Sequence, residues 1–523
     1  MRLKVRALTA AALLLPASAA TAALEMFDVR EYRVRGNTRL PVRDVEKTVY
    51  PFLGPGKTVD DVEAARKALE ALYQARGFAA CNVDIPEQEV GSGVIVLQVS
   101  EGTVDRLKVT GARYFSPSKI REQVPALAKG EVLDLPKAQA QLAELSQQSQ
   151  DRSITPVMRA GRTPGTVEVD LGVEDQLPLH GSVEVNGRNS ANTSRLRLIG
   201  LLRYDNLWQR YHSASLQYQV SPENTQDLEV WAGTYVMPVD FLESRLAFYG
   251  IGLNSSSDIA SAGALTVVGN GNIYGLRLVK PLPGEGRYYH SATFGWDYKD
   301  FGQSLVLAGS DTQNTPISYS PFLLSYGGGL TWEDNSLTQF NAEVNFSIRG
   351  LGNTQQEFED KRAGSTSAYI YGAADLRHRQ MLPADFQAHM RLAGQLADSP
   401  LISNEQFGAG GWQSVRGYHE TQALGDNGFN ASFEMHFPDL AFAASDGVDR
   451  LRLLLFGDYA RLWIQDALPG APRGYTLASC GAGLRFRAFA HFISELDWAY
   501  PLVALDSTGV GEQRLDFRVA YEY

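Results

Sequence analysis

"QRLDFRVAYEY" (Gln513–Tyr523) closes the chain, and its side chains sort with period two. Leu515, Phe517, Val519, Tyr521 and Tyr523 fall on one face; Arg514, Asp516, Arg518 and Glu522 fall on the other. Successive strand residues point to opposite sides, so one face is apolar and aromatic and the other charged. Such a strand suits a wall between lipid and water, with the charged face inward. The same alternation runs upstream through "TSRLRLIGLLRY", "HSASLQYQV", "SRLAFYGIGL", "NIYGLRLV", "TQFNAEVNFSI" and "FQAHMRLAGQL". Turn-rich stretches such as "NSSSD", "PLPGEG" and "EDNSL" separate these runs. At about 20 to 22 residues per strand and turn, residues 177–523 hold about sixteen strands, the pattern of a transmembrane antiparallel β-barrel.

The other end of the chain reads as a leader. In "MRLKVRALTAAALLLPASAATAALE", Arg2, Lys4 and Arg6 precede the apolar run Ala7–Leu15 and the small-x-small triplet Ala20-Thr21-Ala22. That is a secretory signal peptide over residues 1–22, so the mature protein is exported. No later apolar run reaches about 18 residues, so no transmembrane helix is expected. The net charge of −11 excludes the basic footprint of a nucleic-acid binder. The two cysteines, Cys81 and Cys480, lie far apart and read as packing residues rather than a disulfide.

Between leader and barrel the periodicity changes. "FDVREYRVRGNTRLP" reads as a strand ending in a turn at Gly36-Asn37. "PVRDVEKTVYPFLG" and "TVDDVEAARKALEALYQARG" read as helices. The second is capped by Thr58, carries Asp60 and Asp61 in its first turn and ends at Gly77. Val62, Ala65, Leu69, Leu72 and Tyr73 give it one apolar face. "ACNVDIPEQEV" and "GVIVLQVSEG" are two more strands. The β-α-α-β-β order then repeats, with helices entered at Pro117 and Pro136 and a final pair of strands in "SITPVMRAG" and "TVEVDLGVED". A unit of roughly 75 residues therefore occurs twice, over 24–102 and 103–176.

"GGWQSVRGYHE" (Gly410–Glu420) has glycine-rich loop composition yet sets Arg416 between Val415 and the pair Gly417-Tyr418. "GDNG" (Gly425–Gly428) reads as a turn after it. Two βααββ units ahead of a sixteen-stranded barrel with a late "VRGY" loop resemble the two-partner secretion transporters of the TpsB type. That family includes the filamentous haemagglutinin transporter and the haemolysin transporter-activators, and lies within the superfamily of outer-membrane assembly proteins. The most specific matches are "FGAGGWQSVRGY" (Phe407–Tyr418), "GDNGFNASFEMHFP" (Gly425–Pro438) and "LFGDYARL" (Leu455–Leu462). "RVRGNTRLP" and Asp151–Asp175 fit the start of a first and the end of a second POTRA domain.

The resemblance implies a polypeptide translocase in the outer membrane, with POTRA domains in the periplasm that catch an unfolded, TpsA-like secreted passenger. Lipid, the barrel assembly machinery and periplasmic chaperones are its implied further partners. A barrel assembly factor is the alternative, although such relatives usually carry more POTRA units; a passive porin would need no periplasmic repeat. The chain departs from the haemagglutinin transporter in one respect: the mature N-terminus is expected to lead straight into the first POTRA strand, leaving no plug helix. Its last residue is Tyr523 where phenylalanine is commoner, and Phe517, Val519, Tyr521 and Tyr523 are the implied C-terminal barrel-assembly signal.

The family pattern also implies that the VRGY loop folds back into the barrel and brings Arg416 to the wall. Strand parity supplies partners. Leu451, Leu453, Leu455 and Tyr459 share the lipid face, which turns Asp458 and Arg452 inward. Phe429, Ala431, Phe433, Met435 and Phe437 likewise turn Glu434 inward, and Phe492, Leu496, Trp498 and Tyr500 leave Glu495 and Asp497 inward. Asp458 ranks first because "FGDYA" matches the family's partner strand; Glu434 is second. A guanidinium offers a rigid fork of donors suited to a bidentate carboxylate. No HExxH, paired-cysteine metal site or GxSxG elbow appears. "GPGKT" (Gly54–Thr58) imitates only the end of a phosphate loop. No catalysis, cofactor or metal is expected.

Overall fold

The computed structural model describes residues 26–523 apart from 192, 255–258, 263, 264, 269, 303, 306–312, 315 and 442–446. The leader expected over residues 1–22 lies outside the described residues. Two compact units divide the chain after Leu177.

In the first unit, β1 (Phe27–Val29) pairs antiparallel with β3 (Gly54–Lys57), so the "GPGK" segment is a strand and not a phosphate loop. The run read as one strand breaks at Arg30, whose N–H donates to Gly93 O at 2.8 Å. Beyond that break, β2 (Glu31–Arg35) pairs parallel with β5 (Val94–Ser100), and β4 (Asn82–Asp84) flanks β5 antiparallel. Helices α1 (Val42–Val49) and α2 (Val59–Ala75) lie between these strands in sequence. The Thr58 N–H reaches Asp61 Oδ2 at 2.8 Å. That bond and the Thr58 hydroxyl hold the Asp61 carboxyl below its ordinary range. Val62, Ala65, Leu69 and Tyr73 of α2 are buried, as are Leu97 and Val99 of the sheet. Each buried valine and leucine side chain among them contributes about 1.5–3 kcal/mol. Cys81 is buried with them, and burial pushes its thiol up to about 12, so it is inert packing.

The same plan follows in β6 (Thr103–Thr110), α3 (Pro117–Glu122), α4 (Leu135–Gln147), β7 (Arg152–Ala160) and β8 (Thr166–Asp175). β8 is central, parallel to β6 and antiparallel to β7. Asp134 caps α4, accepting the Lys137 N–H at 3.1 Å. β7 is an edge strand, and most of its residues are exposed.

The second unit is a closed antiparallel barrel. It begins with β9 (Leu179–Asn186), β10 (Arg197–Leu207), β11 (His212–Val220), β12 (Glu229–Val239) and β13 (Ser244–Asn254). A small hairpin, β14 (Ile259–Ala262) and β15 (Leu265–Val268), precedes β16 (Asn270–Leu282) and β17 (Tyr288–Gly302). A second small hairpin, β18 (Ser304–Leu305) and β19 (Gln313–Asn314), precedes β20 (Ile317–Tyr319), β21 (Pro321–Thr331) and β22 (Leu337–Ser347). Helix α5 (Gln355–Lys361) leads to β23 (Ile370–Met381) and β24 (Gln387–Ala397). The short strands β25 (Phe407–Ala409) and β26 (Ala423–Gly425) pair within one loop. β27 (Asn427–His436), β28 (Val448–Trp463), β29 (Gly474–Ala488), β30 (Phe492–Pro501) and β31 (Arg514–Glu522) complete the wall. β20 and β21 both pair with β17 and form one interrupted strand, so the wall has sixteen staves. It closes where Arg518–Glu522 of β31 pairs with Ser182–Asn186 of β9. Closure leaves no edge strand, the condition for β-structure in lipid.

The end of the barrel bearing residues 208–211, 240–243, 283–287 and 489–491 has short turns; the other end carries the long connections 348–369, 398–426 and 502–513. Short periplasmic turns and long external loops are the rule for outer-membrane barrels. Outward parity holds: Phe433, Leu453, Leu455, Tyr459, Leu496, Trp498, Leu515 and Tyr521 are exposed, as a lipid-facing surface requires. Cys480 corrects the sequence reading. It is exposed, because odd and even residues of β29 alternate and Leu477 and Ser479 take the buried side.

A loop arginine seated on the barrel wall

Residues 398–426 connect β24 to β27. Instead of standing in solvent, this loop pinches into the β25–β26 ladder (Phe407↔Gly425, Ala409↔Ala423) and carries Gly410–Gln422 as its tip. Gly417 has φ +90°, and a Cβ there would stand 3.2 Å from Ala499 Cβ and from the Pro501 ring. Only glycine gives that conformation and that approach to the wall without strain. Tyr418, fully buried, donates its hydroxyl to Val503 O at 2.7 Å and accepts the Ala478 N–H at 3.3 Å. Val415 packs with Leu462 and Leu477.

Arg416 is 3 % exposed, which rules out a solvated loop arginine. Its fork meets Asp458 on β28 with Nε to Oδ2 at 2.8 Å and Nη2 to Oδ1 at 2.9 Å, and its backbone N–H reaches the same Oδ2 at 3.1 Å. Nη1 donates to Glu434 Oε1 on β27 at 2.6 Å and lies 3.5 Å from Asp497 Oδ2 on β30. The guanidinium carbon stands 3.6 Å from the centre of the Phe456 ring. The structure thus brings both sequence-predicted partners onto one arginine, and Asp497 with them. Glu495 lies elsewhere, 3.5 Å from Arg518.

Three more groups complete the seat. Ser432 Oγ donates to Asp458 Oδ1 at 2.6 Å. Arg485 on β29 forks onto Asp497 at 2.6 and 2.9 Å. Gly481 and Gly483 leave the room: a Cβ at Gly481 would strike the Phe456 ring at 2.4 Å, and one at Gly483 the Asp497 carboxylate at 2.1 Å. Parity could have put Phe456 beside Asp458 on the inward face; nothing in the sequence pairs Arg485 with Asp497. The C-terminal signal residues Phe517, Val519, Tyr521 and Tyr523 are not part of this seat. The last of them joins the closing seam, where the Tyr523 N–H donates to Gly181 O at 2.8 Å.

The root of the loop corrects a second reading. "GDNG" is no turn: Gly425 ends β26 and Asn427-Gly428 start β27. Its glycines serve close packing, since a Cβ at Gly425 would meet Leu462 at 2.8 Å and one at Gly428 the Phe407 ring at 2.8 Å. Asp426, fully buried, accepts from Leu401 N at 2.8 Å, Gln465 N at 2.7 Å and Arg362 Nη2 at 2.8 Å. One carboxylate therefore ties three connections of the long-loop end together.

Helix α5 stands close by. Phe358, fully buried, meets Tyr319 edge to face at 5.6 Å. It belongs to an apolar cluster with Val230, Ile251, Phe301, Leu401 and Ile402, drawn from strands and loops of the same end. Phe358→Ala removes about 3–5 kcal/mol of packing from this cluster. A higher single-channel conductance in planar bilayers is the expected result; unchanged conductance would show that the cluster does not restrict the lumen.

Comparisons with known proteins agree with this architecture. Residues 27–102 match the model of the POTRA domain, ShlB-type, and residues 165–486 match that of the haemolysin secretion/activation protein ShlB/FhaC/HecB. The outer membrane transporter CdiB of Dickeya dadantii is 22% identical over 426 residues, 77% of this chain and 71% of that protein. The heme/hemopexin transporter protein HuxB of Haemophilus influenzae strain 86-028NP is 20% identical over 90% of this chain and 82% of its own length. Among solved structures, CdiB from Escherichia coli superposes with TM-score 0.62 at 18% identity, over 98% of this chain and 93% of that one. BamA from Haemophilus ducreyi lacking POTRA domains 1–3 gives 0.58 at 14% identity, over 95% of this chain and all of that one. At these identities the structural likenesses speak for the fold alone.

Proposed function

The chain belongs to the haemolysin secretion/activation family ShlB/FhaC/HecB, and from that membership we propose how it moves its cargo. The protein is an outer-membrane transporter of two-partner secretion that exports a partner protein through its barrel, with POTRA structure in the periplasm. Residues 24–102 and 103–176 act as two POTRA domains that receive the unfolded passenger. The exposed edge of β7 supports capture by strand addition. About four outward hydrogen bonds at about 1 kcal/mol each suffice for transient holding.

The observation that carries the reading is the Arg416 seat. Beside the apolar and hydroxyl anchors of Val415 and Tyr418, the charged hold of the VRGY loop on the lumenal wall is one side chain, Arg416, that engages three carboxylates. Arg416 with Asp458, supported by Glu434, acts as a releasable lock: the tip leaves its seat as the passenger passes and returns afterwards. The chain acts as a conduit without a catalytic step, and passenger folding outside supplies the drive. A photo-crosslinking residue at Gln413, beside Arg416 on the lumenal cavity, tests the path. With the passenger stalled by a folded fusion, crosslinks are expected at Gln413 and not at lipid-facing Leu455. The reverse pattern would place the passenger outside the lumen, as an assembly factor would.

A further inference from the structure

Below the arginine seat, nearer the short-turn end, the barrel wall holds a second constellation. Glu434 and His436 stand two residues apart on β27 and so share the inward face. His389 on β24 is the direct cross-strand partner of Glu434. A pair spaced by two on one strand, with a third residue opposite on the next, is a three-donor set whose spacing is fixed by the ladder itself. Ligand atoms of the three lie within 4.8 Å of one another. The two imidazoles stack with centroids 4.1 Å apart at 20°.

The neighbours orient these donors. Gln387 Oε1 stands 3.2 Å from His389 Nε2; an N–H donated there leaves Nδ1 as the free electron pair. Arg416 Nη1 holds Glu434 Oε1, which leaves Oε2 on the histidine side. That Oε2 lies 2.7 Å from His436 Nε2. Such outer hydrogen bonds are the usual support of metal-binding histidines and carboxylates. A lumenal cavity of about 610 Å³, lined by His389, Glu434 and Arg416, gives a path of entry. Two imidazoles and one carboxylate with a fourth position open suit a cation of the zinc class, and not calcium or magnesium, which take oxygen donors.

We propose that His389, His436 and Glu434 bind one divalent transition-metal cation of this class, which ties β24 to β27 beneath the Arg416 seat. Tetrahedral bonds of about 2.0–2.1 Å need donors roughly 3.3 Å apart, so binding draws together ligand atoms that now lie within 4.8 Å and turns the stacked rings toward one point. On binding, the proton between His436 Nε2 and Glu434 Oε2 moves to Nδ1 or is released to solvent, and both atoms turn to the cation. Glu434 Oε1 stays with Arg416.

The purified full-length protein in detergent, titrated with Zn²⁺ by calorimetry, is expected to take up one equivalent that EDTA removes. His389→Ala and His436→Ala should each weaken it by about tenfold or more. His378→Ala, which alters a histidine of the same cavity outside the triad, should leave it unchanged. Absence of binding, or full affinity in the double variant H389A/H436A, overturns the proposal. Heat-dependent gel mobility reports whether each variant is folded. Should the alanine variants fail to fold, the Cu²⁺ electron paramagnetic resonance spectrum of the unaltered protein decides. Coupling to two imidazole nitrogens supports the site, and coupling to one or none overturns it.

Discussion

Arg416→Ala is expected to cut passenger release into the medium by about tenfold or more while the barrel remains folded in the membrane. The substitution takes a bidentate partner from Asp458, which is 4 % exposed and keeps only Ser432 and the loop's own N–H. Removing one side of a buried ion pair costs about 3–5 kcal/mol. The wall tolerates this, because Glu434 retains His436 and Asp497 retains Arg485. The loop does not: its root stays tied through Asp426, but the tip keeps only the Tyr418 and Val415 contacts, leaves its resting position more readily and then competes with the passenger for the lumen. Asp458→Ala should be milder than Arg416→Ala, since Glu434 still holds Nη1. The double variant R416A/D458A should match R416A alone, because the contact is already gone. Arg416→Lys should remain impaired, as an ammonium cannot make the fork. Fully additive losses would reject Asp458 as the partner, and wild-type secretion from R416A would reject the lock. The readout is passenger in the medium against heat-modifiable barrel in the membrane.

Much of this site is legible in the sequence for one reason: in a barrel the side-chain period is two, so each strand declares its inward face. Alternation by itself turns Asp458, Glu434 and Asp497 toward the lumen. Parity assigns a face but not a depth, so it does not tell that Asp497 joins Arg416 while Glu495 turns to Arg518. It turns Phe456 inward beside Asp458 but is silent on Arg485 and Ser432 as parts of the seat, because their convergence depends on register across neighbouring strands. Glycine misleads at Gly425–Gly428, where composition alone cannot separate a turn from a close approach. Cys480 misleads because a small residue on a lipid face looks like one in a core. The break at Arg30 is hidden for a related reason: alternation continues through Phe27–Val34 although the chain changes ladders there.

Deleting residues 27–173 behind the leader is expected to abolish secretion and to leave an inserted, conducting barrel. Every strand pairing of the wall lies within residues 179–523, including the closing seam between β31 and β9. The sheets of the first unit are separate from it, and residues 40–99 of that unit enclose a buried core of their own. Loss of that unit therefore removes no stave and no ladder hydrogen bond from the barrel. What it removes is the exposed β7 edge, the proposed place of passenger capture. A narrower change distinguishes capture from mere spacing. Met158→Pro on β7, whose N–H like the position of Pro156 faces away from β8, removes one more outward backbone donor and should lower secretion several-fold if strand addition is the mode of capture. Conductance in planar bilayers and heat-dependent mobility should stay as in the intact protein. Wild-type passenger export from the truncated chain would show that capture does not reside in the N-terminal unit, and loss of the barrel itself would show that the two units do not fold independently.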